Sequence, residues 1–507
     1  MRLEEMAEKA LGKARASPAI EFRGRWHDWG WMHDYGAAAS GALHRCGLPA
    51  TEAVAFVPRN RPNSAAALLA MIAQGRTIYM LYAFQAPEAL ARNVRSLDKR
   101  LLVISKEDFV GPVVEAAKER GVGIVVLDEE TVEALSPGSK FTQTADQPTA
   151  EAEPGIYILT SGTTGAPKHF RLSNRIVTEQ VLSARLMFGK TADDGKPAVP
   201  TLIYFPFANI SGLYHFLPVA ISGNPVIMLE KFDIGIWLEY MKKYRPVVGS
   251  LPPPGVQMAL EAGFTREDLK GTEFINTGAA AVDPTLHRAF EERFGISLLF
   301  SYGATEFGGP VAYFTADLHR KWGNRKFGSV GPAWGGASLR VVDPQTGSVL
   351  PPNTEGLLEV IAPRIGPHWI RTTDVAVLDE DGFLFHRGRA DGAIMRGGFK
   401  LLPEVIENAL VLHPAVAAAS VVGISDARLG QVPVAAVQLR GGVIPPSTAE
   451  LADHLRGHVY ATHIPVAFQF VKELPRTASM KVDMRKVRAL FETEDLGVIG
   501  GVRSNAG

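Results

Sequence analysis

A chain of 507 residues with 46% hydrophobic and 21% charged residues is ordinary for a globular protein, and its length predicts two to four domains. Lys+Arg and Asp+Glu are both 53, so no global field draws the chain to nucleic acid or to an anionic membrane. A single cysteine, Cys46, excludes an intrachain disulfide framework and points to a reducing, cytoplasmic setting. Met1 to Ala16 reads as an amphipathic helix without the apolar core of a signal peptide. No apolar run approaches a membrane span, since the richest, Phe216 to Leu229, is broken by Pro218, Ser222, Gly223, Asn224 and Pro225. Residues 34–46 have helical spacing, and Val54 to Val57 reads as a short strand. Pro62 opens a helix that ends before Gly75. Strands over 101–104 and 123–127 enclose a helix near 109–120, and this alternation predicts a parallel α/β sheet. Residues 136–154 read as a polar connector.

Further strands are expected at 157–160, 201–205, 225–229, 247–251, 274–278 and 298–300, with helices over 174–187, 234–244 and 284–294. The run Pro252-Pro253-Pro254 is read as the stop of a strand. From 326 to 390, short apolar runs alternate with Gly and Pro, as in a small β-rich subdomain. Beyond a boundary at Gly388 to Asp391, helices at 403–412 and 448–459 and strands at 415–422, 433–439 and 468–471 predict an α+β domain. The expected division is therefore 1–390, 391–496 and a disordered tail over 497–507.

Several stretches carry candidate chemistry. Tyr157 to Thr160 runs as a strand into Ser161-Gly162-Thr163-Thr164-Gly165-Ala166-Pro167-Lys168, where hydroxyls, backbone N–H groups and one cation can surround a phosphate chain. A Walker A loop is excluded, because Gly165 is followed by Ala-Pro-Lys-His. In Tyr302-Gly303-Ala304-Thr305-Glu306 the ring of Tyr302 can face a base, Thr305 can bond phosphate and Glu306 can hold Mg²⁺. Asp374 suits a ribose diol, and the glycine-flanked charges of 388–400 suit a hinge. Taken one at a time, these read equally as a loop, an exposed acid, a polar linker and, at Lys481, a surface lysine.

Their combination and order over 54–486 resemble the adenylate-forming family of acyl- and aryl-CoA synthetases, non-ribosomal peptide adenylation domains and luciferase. The resemblance implies a large N-terminal α/β domain with parallel-type sheets and a small β-rich subdomain, followed by a small, mobile α+β C-terminal domain. It implies an AMP-forming ligase that joins a carboxylic acid to CoA, with ATP and Mg²⁺; the alternatives are an amine acceptor or a carrier-protein thiol. Thr160, Ser161, Gly162, Thr163, Thr164 and Lys168 would hold the β- and γ-phosphates. Gly278, Ala279 and Ala280 would form the adenine-side turn and Tyr302 would pack on adenine. Asp374 and Arg389 would grip the ribose. Lys481, Thr305 and Glu306 would serve adenylation, with Glu306 on the metal. Asn209, Gly212, Gly278, Gly303 and Phe307 would border the acyl site. Asp391 would be the hinge, and Gly398 and Phe399 would line the path of CoA. The chain departs from the usual pattern at His169 and Thr373, where glycine is usual, at Met480, and at Asn209, where histidine is common. The implied partners are small molecules only, on a monomer or homodimer.

Overall fold

The computed structural model describes residues 1–47, 49, 52–135, 153–160, 168–187, 199–278, 282, 284–390, 392–396, 399–426, 429–459, 461–477 and 481–492. The chain folds into two compact units, one of residues 1–282, 286–338 and 361–368, the other of 283–285, 339–360 and 369–507.

In the first unit, Val54–Val57, Leu101–Ser105 and Gly123–Leu127 are buried along their whole length, as strands covered on both faces must be. They lie parallel at the centre of a sheet that runs, strand by strand, Val132–Leu135, Gly123–Leu127, Leu101–Ser105, Val54–Val57, Ile78–Met80, Gly155–Thr160, Lys168–Ser173. The period-2 alternation of side chains divides the strands between two cores. Val54, Phe56, Leu101 and Val103 join Leu68 and Leu69 of the helix Pro62–Ala73. Ala55, Val57, Leu102 and Ile104 join Leu90 and Val94 of Pro87–Arg95 and Val113 and Ala117 of Gly111–Arg120. Cys46 is buried, and burial pushes its thiol up, so it is packing rather than a nucleophile.

A second sheet of this unit runs Val248–Ser250, Phe274–Thr277, Ser297–Ala304, Gly309–Tyr313, with its first three strands parallel. Trp237, Phe290 and Phe294 are fully buried against Ile275 and Leu298, each such burial being worth about 1.5–3 kcal/mol. A third sheet pairs Thr201–Ile203, Val226–Met228, Pro18–Phe22 and Arg25–Asp28. In the second unit, Ser338–Val342, Gly356–Ile361, Ile370–Leu378 and Leu384–Arg389 form one sheet in chain order. Another is built on the long hairpin of Val416–Asp426 and Gly430–Leu439, with Pro403–Val411 packed on it.

One local expectation differs from what the chain does, and two other stretches hold more structure than expected. The strand Val248–Ser250 ends before the proline run as expected, and Pro253 then opens the helix Pro253–Glu261 at its first turn, where a missing N–H costs nothing. The strand expected at 298–300 continues through Tyr302 and Gly303 to Ala304, because an antiparallel partner follows it. The apolar run from Phe216 to Leu229 is interrupted as expected, by Gly223 between the strand Val226–Met228 and the helix Ile210–Ser222, which carries Pro218 inside it. Proline forfeits one helical hydrogen bond there. Burial of Leu213, Phe216, Leu217 and Val219 offsets that loss.

Candidate active site

The phosphate-loop candidate is the connection of a β-hairpin. Gly155–Thr160 and Lys168–Ser173 pair antiparallel, and the last register pair is Thr160 with Lys168. Residues 161–167 bridge that pair, so the ladder brings both ends of the hydroxyl- and glycine-rich stretch together. Ser161, Gly162, Thr163 and Thr164 themselves lie outside the described residues, and Thr160 and Lys168 are placed by their backbone only. On the hairpin strands, Tyr157 stacks on Tyr79 at 4.1 Å between ring centroids, and His169 meets Tyr79 edge-on at 5.2 Å. Lys99 Nζ lies 4.0 Å from the Tyr79 ring centre on the same cluster. Partial desolvation lowers the pKa of the His169 imidazole from its ordinary value, with Asp98 opposing and Lys99 adding a smaller contribution in the same direction.

The Tyr-Gly-Ala-Thr-Glu motif is the tip of a second hairpin. Ser297–Ala304 turns through the 3₁₀ segment Thr305–Phe307 and Gly308, then returns as Gly309–Tyr313. Tyr302 pairs with Ala312, Gly303 with Pro310 and Ala304 with Gly309, with an irregularity between Tyr302 and Gly303. Gly303 is sterically required. A Cβ there would stand 2.6 Å from both Gly309 O and Pro310 Cα, which are backbone atoms that cannot swing away. Phe307 is buried and anchors the tip, whereas Glu306 is exposed and Thr305 half-buried. The Glu306 side chain makes no hydrogen bond or ion pair to another described residue. Parallel pairing of Thr277 with Phe300 sets Gly278 beside Ser301, one residue before Tyr302. Ala279 and Ala280 are outside the described residues.

Arg364 supports the hairpin tip from outside the motif. Its Nη1 donates to Gln180 Oε1 (2.5 Å) and Gly308 O (3.3 Å), and its Nη2 donates to Pro310 O (3.1 Å). Asn209 precedes the helix Ile210–Ser222 but its side chain caps nothing, and its Oδ1 is buried with no donor among the described residues. Gly212 packs against the preceding loop so closely that a Cβ would fall 2.0 Å from Pro206 O. Asn60 fixes the same loop from the first sheet. Its Nδ2 donates to Phe205 O (2.9 Å) and its Oδ1 accepts from the Phe207 amide (3.1 Å). Close by in sequence, Arg59 and Arg61 bind Glu230 at 3.1 and 2.8 Å. Burial opposes the charge of Glu230, but hydrogen bonds and charge from the two arginines outweigh it and hold the carboxyl below its usual range.

In the second unit, Asp374 and Arg389 face each other as a register pair of adjacent antiparallel strands. His386 Nε2 lies 3.2 Å from Asp374 Oδ1. The Asp374 amide donates to Thr372 Oγ1 (3.0 Å), whose hydroxyl donates to Leu358 O (2.8 Å). Arg389 Nη2 donates to Thr373 Oγ1 (2.7 Å), and the Arg389 amide donates to Glu404 Oε1 (3.3 Å). Lys481 is exposed; its carbonyl accepts from the Thr477 amide (2.7 Å), and Arg476 bridges Val482. Asp391 and Gly398 lie outside the described residues, as does the tail 497–507, and Phe399 is placed by backbone at the start of the strand Phe399–Leu401.

Sequence reading did not single out Asn60, Arg364 or His386. Asn60 sits in Pro58-Arg59-Asn60, and its only sequence signal was a polar residue at the carboxyl end of a buried strand. Arg364 and His386 carry no local signal, because their partners are distant in the chain. For the metal, the available donor is the exposed carboxylate of Glu306. That fits the habit of Mg²⁺, which keeps most of its ligands as water and phosphate oxygen.

Comparisons with known proteins show the family and the fold. Residues 7–368 match the family model of AMP-binding enzymes, and 405–481 match the AMP-binding enzyme C-terminal domain. The chain is 29% identical over 488 residues to a sulfoacetate–CoA ligase of Cupriavidus necator, covering 91% of this chain and 93% of that one. It is 26% identical to 4-coumarate–CoA ligase 3 of Oryza sativa subsp. japonica, covering 96% and 92%. Its fold matches ATP-bound MatB from Rhodopseudomonas palustris with a TM-score of 0.79 at 22% identity, covering 97% of this chain and 99% of that one. The amide bond synthetase McbA from Marinactinospora thermotolerans matches with a TM-score of 0.75 at 24% identity, over 96% and 99%. With both its long N-terminal part and its C-terminal segment matched, the chain belongs to the AMP-binding enzyme family.

Proposed function

We propose that the protein is an AMP-forming carboxylic acid–CoA ligase. The observation that carries this reading is the pairing of Asp374 with Arg389 on adjacent strands of a chain matched by both family models. That pairing puts on adjacent strands an acceptor and a donor of the kinds that a ribose diol can bond. In the first step a carboxylate oxygen attacks the α-phosphorus of ATP, the bond to the β-phosphate oxygen breaks, and pyrophosphate leaves with the electron pair. Thr160 to Thr164 and Lys168 hold the departing phosphates, and Tyr302 and Gly278 to Ala280 border the adenine. Lys481 brings a cation to the carboxylate and α-phosphate, where negative charge develops, and Thr305 donates to phosphate. Glu306 holds Mg²⁺, which when bound neutralises charge on the phosphate oxygens. Asn209, Gly212, Gly303 and Phe307 border the acyl group.

In the second step the thiolate sulfur of CoA attacks the acyl carbon and AMP leaves. The chain divides functionally at 390/391, with Asp391 as the hinge that withdraws Lys481 and presents Gly398 and Phe399 to the thiol. The acceptor is assigned as CoA because the curated relatives are CoA ligases. Among the described residues no helix is long and apolar enough to cross a membrane. With one buried cysteine, the chain suits the cytoplasm, as a monomer or homodimer. The test is pyrophosphate exchange against a panel of carboxylic acids, then addition of CoA or of amines to the adenylate. Exchange with at least one acid and acyl-CoA release are expected. No exchange with any acid by folded protein would overturn the reading, and an amide product in place of a thioester would reassign the acceptor.

A further inference from the structure

We propose that His386 and Thr373 are positioning residues of the nucleotide clamp. His386 fixes the carboxylate of Asp374, and Thr373 fixes the guanidinium of Arg389. The inference rests on the ribose role given above to Asp374 and Arg389.

A carboxylate on a strand can turn about its last torsion, and a guanidinium on three methylenes has more freedom still. Clamping a ribose with two such groups costs the order that binding must impose on them. Here that order is already present. His386 lies on the same strand as Arg389, three residues earlier, and its Nε2–H donates to Asp374 Oδ1 at 3.2 Å. With Oδ1 held, the torsion of the carboxylate is set before a ribose hydroxyl arrives. The side chains of His386 and Asp374 are 23% and 16% exposed, so this bond is shielded while still reachable by a ligand. Arg389 is exposed, and its Nη2 is tied to Thr373 Oγ1 at 2.7 Å. Glycine is the usual residue at position 373 in the pattern this chain resembles, and glycine has no hydroxyl. This chain therefore anchors its arginine through a group that the usual pattern lacks. The Arg389 amide is also bound, to Glu404 Oε1 at 3.3 Å, so both ends of the residue are placed.

The test uses the full chain and two probes, ATP and 2′,3′-dideoxy-ATP, with dissociation constants read by calorimetry. The unaltered protein is expected to prefer ATP by tenfold or more. His386→Phe removes the donor and keeps a ring. It should weaken ATP about tenfold, the scale of a hydrogen bond to a charged group, and dideoxy-ATP less than twofold. Thr373→Val, at an exposed position where folding is not at stake, should weaken ATP about threefold with the same indifference to dideoxy-ATP. His386→Gln, whose amide nitrogen can stand where Nε2 stood, should recover most of the ATP affinity. Equal losses for the two nucleotides, or no loss in either variant, would overturn the positioning roles while leaving the ribose clamp intact. An unaltered protein that bound both nucleotides equally would overturn the clamp itself, and this inference with it.

Discussion

The hairpin tip of the first unit and the strand pair of the second present functional side chains in opposite states. At the tip, Glu306 is exposed and its side chain is unpaired among the described residues, and what holds it is the shape of the backbone around Gly303 and Arg364. On the strand pair, Asp374 and Arg389 are already bonded, to His386 and to Thr373. Lys481 belongs with the tip in this respect, exposed with no side-chain bond to another described residue. The difference follows the proposed chemistry. Groups assigned to meet charge developing in the reaction are left open for it, while groups assigned to the unchanging ribose are organised before binding. Among open groups, removing the group should abolish a step. Among organised groups, removing a neighbour should cost affinity alone.

The largest effect is expected at the open cation. Lys481→Ala should slow adenylate formation by roughly 10²–10³-fold, the range for losing one stabilising group in a transition state. Thioester formation from a supplied adenylate should fall far less, and the two half-reactions measured separately decide the matter. Equal losses would remove the distinction drawn for Lys481. Gly303→Ala comes next. Its Cβ would displace Gly309 and Pro310, move the Thr305–Glu306 tip by a fraction of an ångström to an ångström, and cost about a hundredfold in pyrophosphate exchange. Melting and circular dichroism would show whether the fold survives. Near-normal exchange in a folded variant would mean that backbone shape does not place the tip. Asp391→Pro should follow, with about a tenfold loss confined to the second step, because proline fixes φ and restricts its predecessor. An unchanged rate of thioester formation would take the hinge away from residue 391.

Much of this organisation could be read from the sequence, for reasons that can be traced. Strands such as Val54–Val57 and Gly123–Leu127 are legible because both faces are buried, which forces an unbroken apolar run. The chemistry-bearing residues are legible because Gly, Thr and charge cluster locally, as in Thr160 to Lys168 and Tyr302 to Glu306. What was not legible depends on distant partners. The strand from Ser297 runs on to Ala304 only because Gly309–Tyr313 returns beside it, and the helix Ile210–Ser222 survives its proline only because a core covers it. Arg364 acts 54 residues from Pro310, and Asn60 acts 145 residues from Phe205. No local pattern marks Arg364, and only its place after a buried strand marks Asn60.

The smallest effect on activity should come from a half-buried acid of the second unit, and it should appear in stability. Glu407, on the helix Pro403–Val411, accepts from the Val421 amide at 2.7 Å. Burial pushes its carboxyl up to about 8, with Glu404 acting in the same direction and the Val421 bond opposing them. The folded chain thus keeps this proton where the unfolded chain, with an ordinary glutamate near 4.5, has lost it. Stability from this group is full below about pH 4.5. Between there and about pH 8 the folded state binds one proton more than the unfolded state, so stability falls as pH rises, by at most about 1.4 kcal/mol per unit. Above about 8 the loss is complete and the slope vanishes. Glu407→Gln keeps the shape and the acceptor without the titration. Its denaturant midpoint, compared with that of the unaltered chain at pH 5.5 and 7.5, should show a smaller decline, while pyrophosphate exchange at pH 7.5 stays within about twofold because Glu407 accepts from the core strand Val416–Asp426 rather than from Asp374 or Arg389. Parallel declines for the two proteins would mean that the Glu407 carboxyl titrates normally despite its burial. A selective loss of exchange would instead extend the nucleotide clamp into the helix that carries Glu404 and Glu407.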